Sequence, residues 1–416
     1  MDCKISVPNG KTISRDVNAV YKKKKKETKA EFEEIENFWC TTDGGTSLAG
    51  HSFIDINVHY IDKDFNQRKK IVGMKHCVSK KAVDYRAVVN NALEEHGIKE
   101  KTDGFTTDNE NTMKASFHRK IRNGCIAHIM SKTSQKALNS SKTLQNFRKK
   151  LRVIAKKSNK SPKFKFNIKQ EQLTRNLAVK TLKQEVATRF TATTTMIRSF
   201  LNDPNEGRDE VINAEKAREN IEAINAAIEE SDFSASDIEK LKIVESDLNV
   251  ALTILPSLDI IQEGINLLGG ENFATGSIVL PFVSKFLQLL ENDEEDPYYF
   301  RKFKEKLKQD LSVRCAANLN PAVLSKSSFF DPRYKSLKFI PVLRALKIIS
   351  AGLTKDSIIK EIKDELDTVA LENRRISQTR KRFLAEEEYN ESVSVESQVE
   401  KYQQETCLKP LDDPFV

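Results

Sequence analysis

Two aspartates in this chain sit where a carboxylate could hold a metal ion. Asp43 closes the β-forming run "NFWCTTD" and leads into Gly44 and Gly45; Asp108 closes the short run "GFTTD" and leads into Asn109. If the first and fourth strands of a mixed sheet lie side by side, both carboxylates leave the same edge. Two acids on rigid strand ends are the hard oxygen ligands that a pair of Mg²⁺ or Mn²⁺ ions requires for an in-line phosphoryl displacement. Small neighbours leave room for a phosphate, and a third acid normally completes such a site. Spacing alone favours a plainer reading, in which both acids are turn and N-cap residues.

The elements that must position these acids show as changes of pattern. Residues 1–36 are polar and predict a helix beginning near Thr12 or Ser14, with Ser14 as its N-cap. "NFWCTTD", "FIDINVHYI" and "RKKIVGMKHCV" read as strands, the second with a loose period of two. "KKAVDYRAVVNNALEEHGI" places Val83, Ala87, Val88 and Leu93 at helical spacing, closed by Gly97. "GFTTDNENTMKASF" is a further strand running into a helix. Residues 37–120 therefore predict an α/β core of three antiparallel strands, a helix, a strand and a helix. From about residue 125 strand signals nearly vanish, and apolar positions recur three or four apart. "NKSPKFKFNIKQEQ" (159–172) reads as a basic connector. Residues 374–410 read as a linker with too little apolar content to fold alone.

The 416 residues allow two or three domains, and 38% hydrophobic with 31% charged residues describes a helix-rich chain with much surface. No apolar run predicts a membrane span, so no membrane partner is expected. Cys3, Cys40, Cys77, Cys125, Cys315 and Cys407 form no CxxC pair, which argues against a disulfide framework and against zinc ligands. The net charge of +9 is uneven. Lys114–Arg189 holds 21 Lys/Arg and two acids, +19 in 76 residues, which leaves −10 for the other 340. Such a block calls for counter-charge, and nucleic acid phosphate is a common source. The competing reading is a solvated insert. Lys22–Lys26 could be a nuclear-import signal, though a solvated helix face is the simpler reading.

Six segments, in order over residues 8–338, resemble a known family. "TTDGGTS" with "HSFIDINVHYID" is similar to the first catalytic strand and hairpin of hAT-superfamily transposases of the zinc finger BED type, written T-x-D-x-W-T-S. "FTTDNENTMKASF" resembles their T-D-N-A-x-N-M-x-x-A, through Asp108, Asn109, Asn111, Met113 and Ala115. "CIAHIMSKTSQKAL" is similar to C-x-x-H-x-L-N through Cys125 and His128, and "ATRFTATTTMIRSFL" to T-R-W-N-S-T-x-x-M. "FFDPRYKSL" resembles L-D-P-R-F-K-x-L, and "PNGKTISRDVNAVY" the joint between finger and core. The resemblance implies an RNase H-like mixed sheet interrupted by a large all-helical insertion, so that the whole is mostly α. It implies Asp43 and Asp108 as metal-binding acids, with His128, Arg189 and Phe190 handling DNA. The basic residues Lys149, Lys150, Arg152, Lys156 and Lys157 are expected on phosphates. Without it, His128 reads as a satisfied helix histidine and Cys125 as a buried apolar residue.

The organisation so implied is a helical remnant of the DNA-binding region (1–36), the first part of the core (37–138), and the insertion (139–338). Helices of the returning core (339–373) and a mostly disordered linker (374–416) follow. Departures from the family pattern shape the expected function. Gly45 stands where the family has Trp, and Phe190 replaces the Trp after Arg189, which reduces stacking area. No Cys/His finger precedes Thr12. The chain stops at "CLKPLDDPFV", before the family's third acid in S-x-x-x-E-R-x-F-S and before its dimerisation segment; Glu271, Glu291, Glu294 and Glu295 could replace that acid by chemistry only. The expectation is a nuclear, DNA-binding, catalytically inactive transposase derivative. The alternatives are an active metal-dependent transposase or nuclease, and a non-enzymatic protein docking a transcription or chromatin partner.

Overall fold

The computed structural model describes residues 9–79, 81–186, 192–202, 212–270, 275–383, 395–405 and 407. The chain is α/β: mostly helical, with one five-stranded mixed sheet. It divides into two compact units, Met1–Cys125 with Asn318–Asn320, and Ile126–Ala317 with Pro321–Val416.

The first unit begins with α1 (Gly10–Glu33), capped by the Asn9 side chain, which accepts from the Thr12 N–H at 2.9 Å. Asn9, not Ser14, is thus the N-cap, because the helix starts a turn earlier than the polar pattern suggests. Its other end is closed by Lys101, whose ammonium donates to the carbonyls of Phe32, Glu33 and Ile35. A cation among the last carbonyls satisfies acceptors that the helix itself leaves open. Strands β1 (Phe38–Thr46), β2 (Ser52–Ile61) and β3 (Gln67–His76) form an antiparallel meander. Helix α2 (Ala82–Glu95) then carries the chain across to β4 (Thr102–Thr107), which pairs parallel to β1. After α3 (Asn111–Ser116), β5 (Ile121–Gly124) pairs parallel to β4, and the order is β3-β2-β1-β4-β5. β5 was not expected: four residues, "IRNG", carry no alternation that could announce a strand. One sheet face packs Phe38, Cys40, Ile54, Ile56, Val58 and Phe105 with Phe32 of α1 and Val89 and Leu93 of α2.

The second unit is built from helices among the described residues, α4 (Ile126–Ala137) through α16 (Val395–Gln404). Helix α4 buries Ile126, Ile129, Met130 and Ala137 there, so the unit boundary falls at Cys125/Ile126, where the expected core ran on to 138. The expected basic connector is α6 (Pro162–Thr174): Ser161 caps it, Pro162 occupies its first turn, and Phe164, Ile168 and Gln172 are buried. Pro at that position costs nothing because its missing N–H has no helical partner. The expected linker also contains ordered helix. α15 (Lys355–Phe383) runs into it, and in α16 Val399 is buried while the Tyr402 hydroxyl donates to the Phe329 carbonyl at 3.1 Å. One stretch, Ala235–Leu268, is by length and composition apolar enough to cross a membrane. Half of its most apolar 18-residue window is buried, as in a core helix.

Charge is buried here too. Arg148 of α5 (Lys142–Lys160) and Glu185 are each 2% exposed and meet at 2.7 Å. Arg148 also donates to Asn139 and Gln135, while Glu185 accepts from Arg152 and the Thr193 hydroxyl. Burial alone would raise the Glu185 pKa. The hydrogen bonds from Arg152, Thr193 and Arg148 outweigh it and hold the carboxyl at about 2, against an ordinary 4.5. A depressed carboxyl pKa means stability that is fully present above pH 4.5 and is lost as pH falls towards 2. Glu185→Gln leaves the Arg148 guanidinium buried without its counter-ion. It should cost about 3–5 kcal/mol in urea denaturation at neutral pH and remove the share of the acid-induced loss between pH 4.5 and 2 that Glu185 contributes.

Candidate functional site

The parallel register of β1 and β4 brings the two aspartates together. The ladder pairs Cys40 with Phe105, Thr41 with Thr106 and Thr42 with Thr107, and ends there. Asp43 on β1 and Asp108 just after β4 are the next residues in each segment. Neighbouring strands lie roughly 4.8 Å apart, so the two acids leave one edge of the sheet side by side. β1 continues to the β2 side and β4 to the β5 side, which makes this the point where the sheet's connections diverge. Open α/β sheets bind ligands at the carboxyl ends of strands beside such a point. β1 itself runs on to Thr46 with β2, so Asp43 lies just past the β1–β4 ladder but within the strand.

Local bonds fix each carboxylate. Asp43 is exposed, and one of its oxygens accepts from the Gly44 N–H at 3.0 Å. Asp108 is half-buried, and one of its oxygens accepts from the Glu110 N–H at 3.0 Å. A third acid, missed in the sequence, faces Asp43 across the hairpin: the register pairs Asp43 with Asp55. The alternation that buries Ile54 and Ile56 could have assigned Asp55 to the opposite face. Its oxygens are already engaged, one by the Asp43 N–H at 3.0 Å and the other by the Asn57 amide at 2.6 Å. Asp55 thus braces the Asp43 backbone. Among the described residues no three His, Cys, Asp or Glu converge to hold a metal ion. A pair of carboxylates nevertheless suits a hard cation such as Mg²⁺, which takes one or two of them and completes its shell with water and substrate phosphates.

The remaining expected residues fall in three places. His128 lies half-buried in the first turns of α4, in the second unit, and Cys125 is half-buried at the end of the first. The Cys125 backbone is engaged: its N–H donates to the Thr107 carbonyl, and its own carbonyl accepts from the Asn109 amide at 3.0 Å. Arg189, Phe190 and the replacement acid Glu271 lie outside the described residues. The five basic residues share α5, but not one environment. Lys150 meets Asp247 at 2.6 Å, Arg152 meets Glu185, and Lys157 meets Asp232. Lys149 and Lys156 are exposed and make no ion pair among the described residues. With the exposed Lys142 and Lys160 they form a row along α5, with a spacing of seven residues, or roughly 10 Å, between the first three. Arg122 of β5, also missed in the sequence, donates to the turn that carries Asp108.

No family model matches the chain, and no curated protein matches it.

The β1–β4 pairing that sets this edge is tight. Trp39 covers Gly104 and donates its indole N–H to the Thr106 hydroxyl at 2.9 Å. A Cβ on Gly104 would lie 2.4 Å from the Trp39 ring. Gly104→Ala should therefore destabilise by about 1–3 kcal/mol. It should also shift the fluorescence of Trp39, the sole tryptophan, which makes the displacement directly readable.

Proposed function

We propose that this chain is a DNA-binding protein derived from a hAT-superfamily transposase of the zinc finger BED type, built on an RNase H-like core and acting in the nucleus. The observation that carries the reading is the register that sets Asp43 and Asp108 one residue beyond the Thr42/Thr107 pair. The order β3-β2-β1-β4-β5, with a meander followed by two parallel strands, supports the RNase H-like assignment. In that reading the two carboxylates are metal-binding acids, and Mg²⁺ or Mn²⁺ is the ion they would hold.

Affinity for DNA comes from phosphate contacts that do not read sequence. The outward row Lys142, Lys149, Lys156 and Lys160 supports this role, since these ammonium groups have no acidic partner among the described residues. Lys150, Arg152 and Lys157 have theirs within the protein and contribute less.

Binding to duplex DNA, followed by fluorescence anisotropy across a salt series, tests the reading. Affinity should fall steeply with salt, and Lys149→Ala with Lys156→Ala should lessen the log–log slope by about 2. No binding at about 50 mM salt, or a salt-independent affinity, would overturn the proposal. Mn²⁺-dependent nicking that disappears in Asp43→Asn would instead show that the edge still cuts.

A further inference from the structure

The turn after β4 is held by more than its own backbone. Arg122, on the neighbouring β5, donates through Nε to the Thr107 hydroxyl at 2.9 Å and through Nη2 to the Asp108 carbonyl and to Asn109 Oδ1. Asn109 in turn donates through its amide to the Cys125 carbonyl at 3.0 Å. The Cys125 N–H returns to the Thr107 carbonyl at 2.7 Å. These bonds close a ring around Asp108 that joins the ends of β4 and β5. Gly124 is part of it: a Cβ there would lie 2.0 Å from Asn109 Oδ1. The bonds that Arg122 makes here reach the Asp108 carbonyl and its two neighbours. The Asp108 carboxylate accepts instead from the Glu110 N–H. A half-buried guanidinium spent on three oxygens of one turn fixes where that turn's carboxylate points.

We propose that Arg122, with Asn109, is a positioning clamp that orients the Asp108 carboxylate for a divalent cation. This rests on the reading of Asp43 and Asp108 as metal-binding acids. Arg122 is not itself a ligand, and its charge works against a cation at Asp108. That opposition makes the clamp testable, because charge and positioning predict opposite signs. Removing a group that only supplied positive charge tightens cation binding. Removing a group that orients a ligand weakens it, by about 10- to 100-fold for partners behind the first ligands. Lys in place of Arg keeps the charge and loses the fork that spans three acceptors.

The test is an Mn²⁺ titration of the full chain by electron paramagnetic resonance, with thermal unfolding measured alongside. The expected result is saturable binding lost in Asp108→Asn and weakened about 10- to 100-fold in both Arg122→Gln and Arg122→Lys. Asn109→Ala, which removes one acceptor of Arg122 and the tether to Cys125, should weaken it in the same direction. It keeps the inference testable should either Arg122 variant fail to fold. Unchanged or tighter Mn²⁺ binding in folded Arg122→Gln or Asn109→Ala would overturn the clamp while the metal site stands. Absence of binding by the unaltered chain, or binding that Asp108→Asn does not disturb, would overturn the metal-binding reading and the clamp with it.

Discussion

The first unit turns on the parallel pairing of β1 with β4. A hairpin can join antiparallel strands locally, but this pair is closed only by a long crossover through β2, β3 and α2. Once made, it fixes three things together. It buries Cys40 and Phe105 as neighbours on the core face, lays Trp39 across Gly104 on the other, and brings Asp43 level with Asp108. A slip of one residue would invert the faces of β4 and carry Phe105 out of the core. The core therefore enforces the register, and the position of the acids follows from it. Around that edge the two acids are supported differently. Asp43 is braced by Asp55 from an antiparallel neighbour, and Asp108 by Arg122 from a parallel one.

The second unit depends on charges that the chain neutralises for itself. The stretch from Lys114 to Arg189 looks like a single basic block, yet its members have separate fates. Arg148 and Arg152 share Glu185, Lys150 takes Asp247, Lys157 takes Asp232, and Lys136 takes Asp310. Three of those acids lie outside the block, so the acidic remainder of the chain serves partly as its counter-charge. Buried pairs of this kind are weak evidence for stability but costly to break on one side. Left facing outward are a row on one face of α5 and further exposed basic residues such as Lys163, Lys165 and Lys169 of α6.

Local structure was readable wherever a single segment carries its own physics. The alternation in "FIDINVHYI" and the shift to a period near 3.6 after residue 125 each reflect a face that must be buried, whereas in α2 the buried face is Tyr85, Val89, Ala92 and Leu93, and the expected Val83 and Ala87 are exposed. That Asp43 and Asp108 share one sheet edge was readable only as a condition, that the first and fourth strands lie side by side, and the β1–β4 register meets it. Readings failed where local composition misled. "SPKFKFNIKQ" is basic enough to pass for a connector, but Phe164 and Ile168 find a core to enter and so form α6. Likewise the sparse apolar residues of α16 suffice because Val399 is buried and Tyr402 packs on Phe329. Tertiary partners supplied the burial that each segment lacked by itself.

By itself, then, the sequence determined the α/β character of the first unit, the helical character of the second, and which acids and bases are available to either. Those are properties of periodicity and composition, written within a dozen residues of one another. Only the tertiary structure decided that β5 exists, since "IRNG" becomes a strand by pairing with β4 and by nothing in its own pattern. It alone assigned Asp55 and Arg122 to the neighbourhood of the two acids, and it divided the lysines of α5 into those held by acids and those facing outward. Each of these depends on residues brought together from distant parts of the chain. Such pairings come from packing and register, which no single segment encodes.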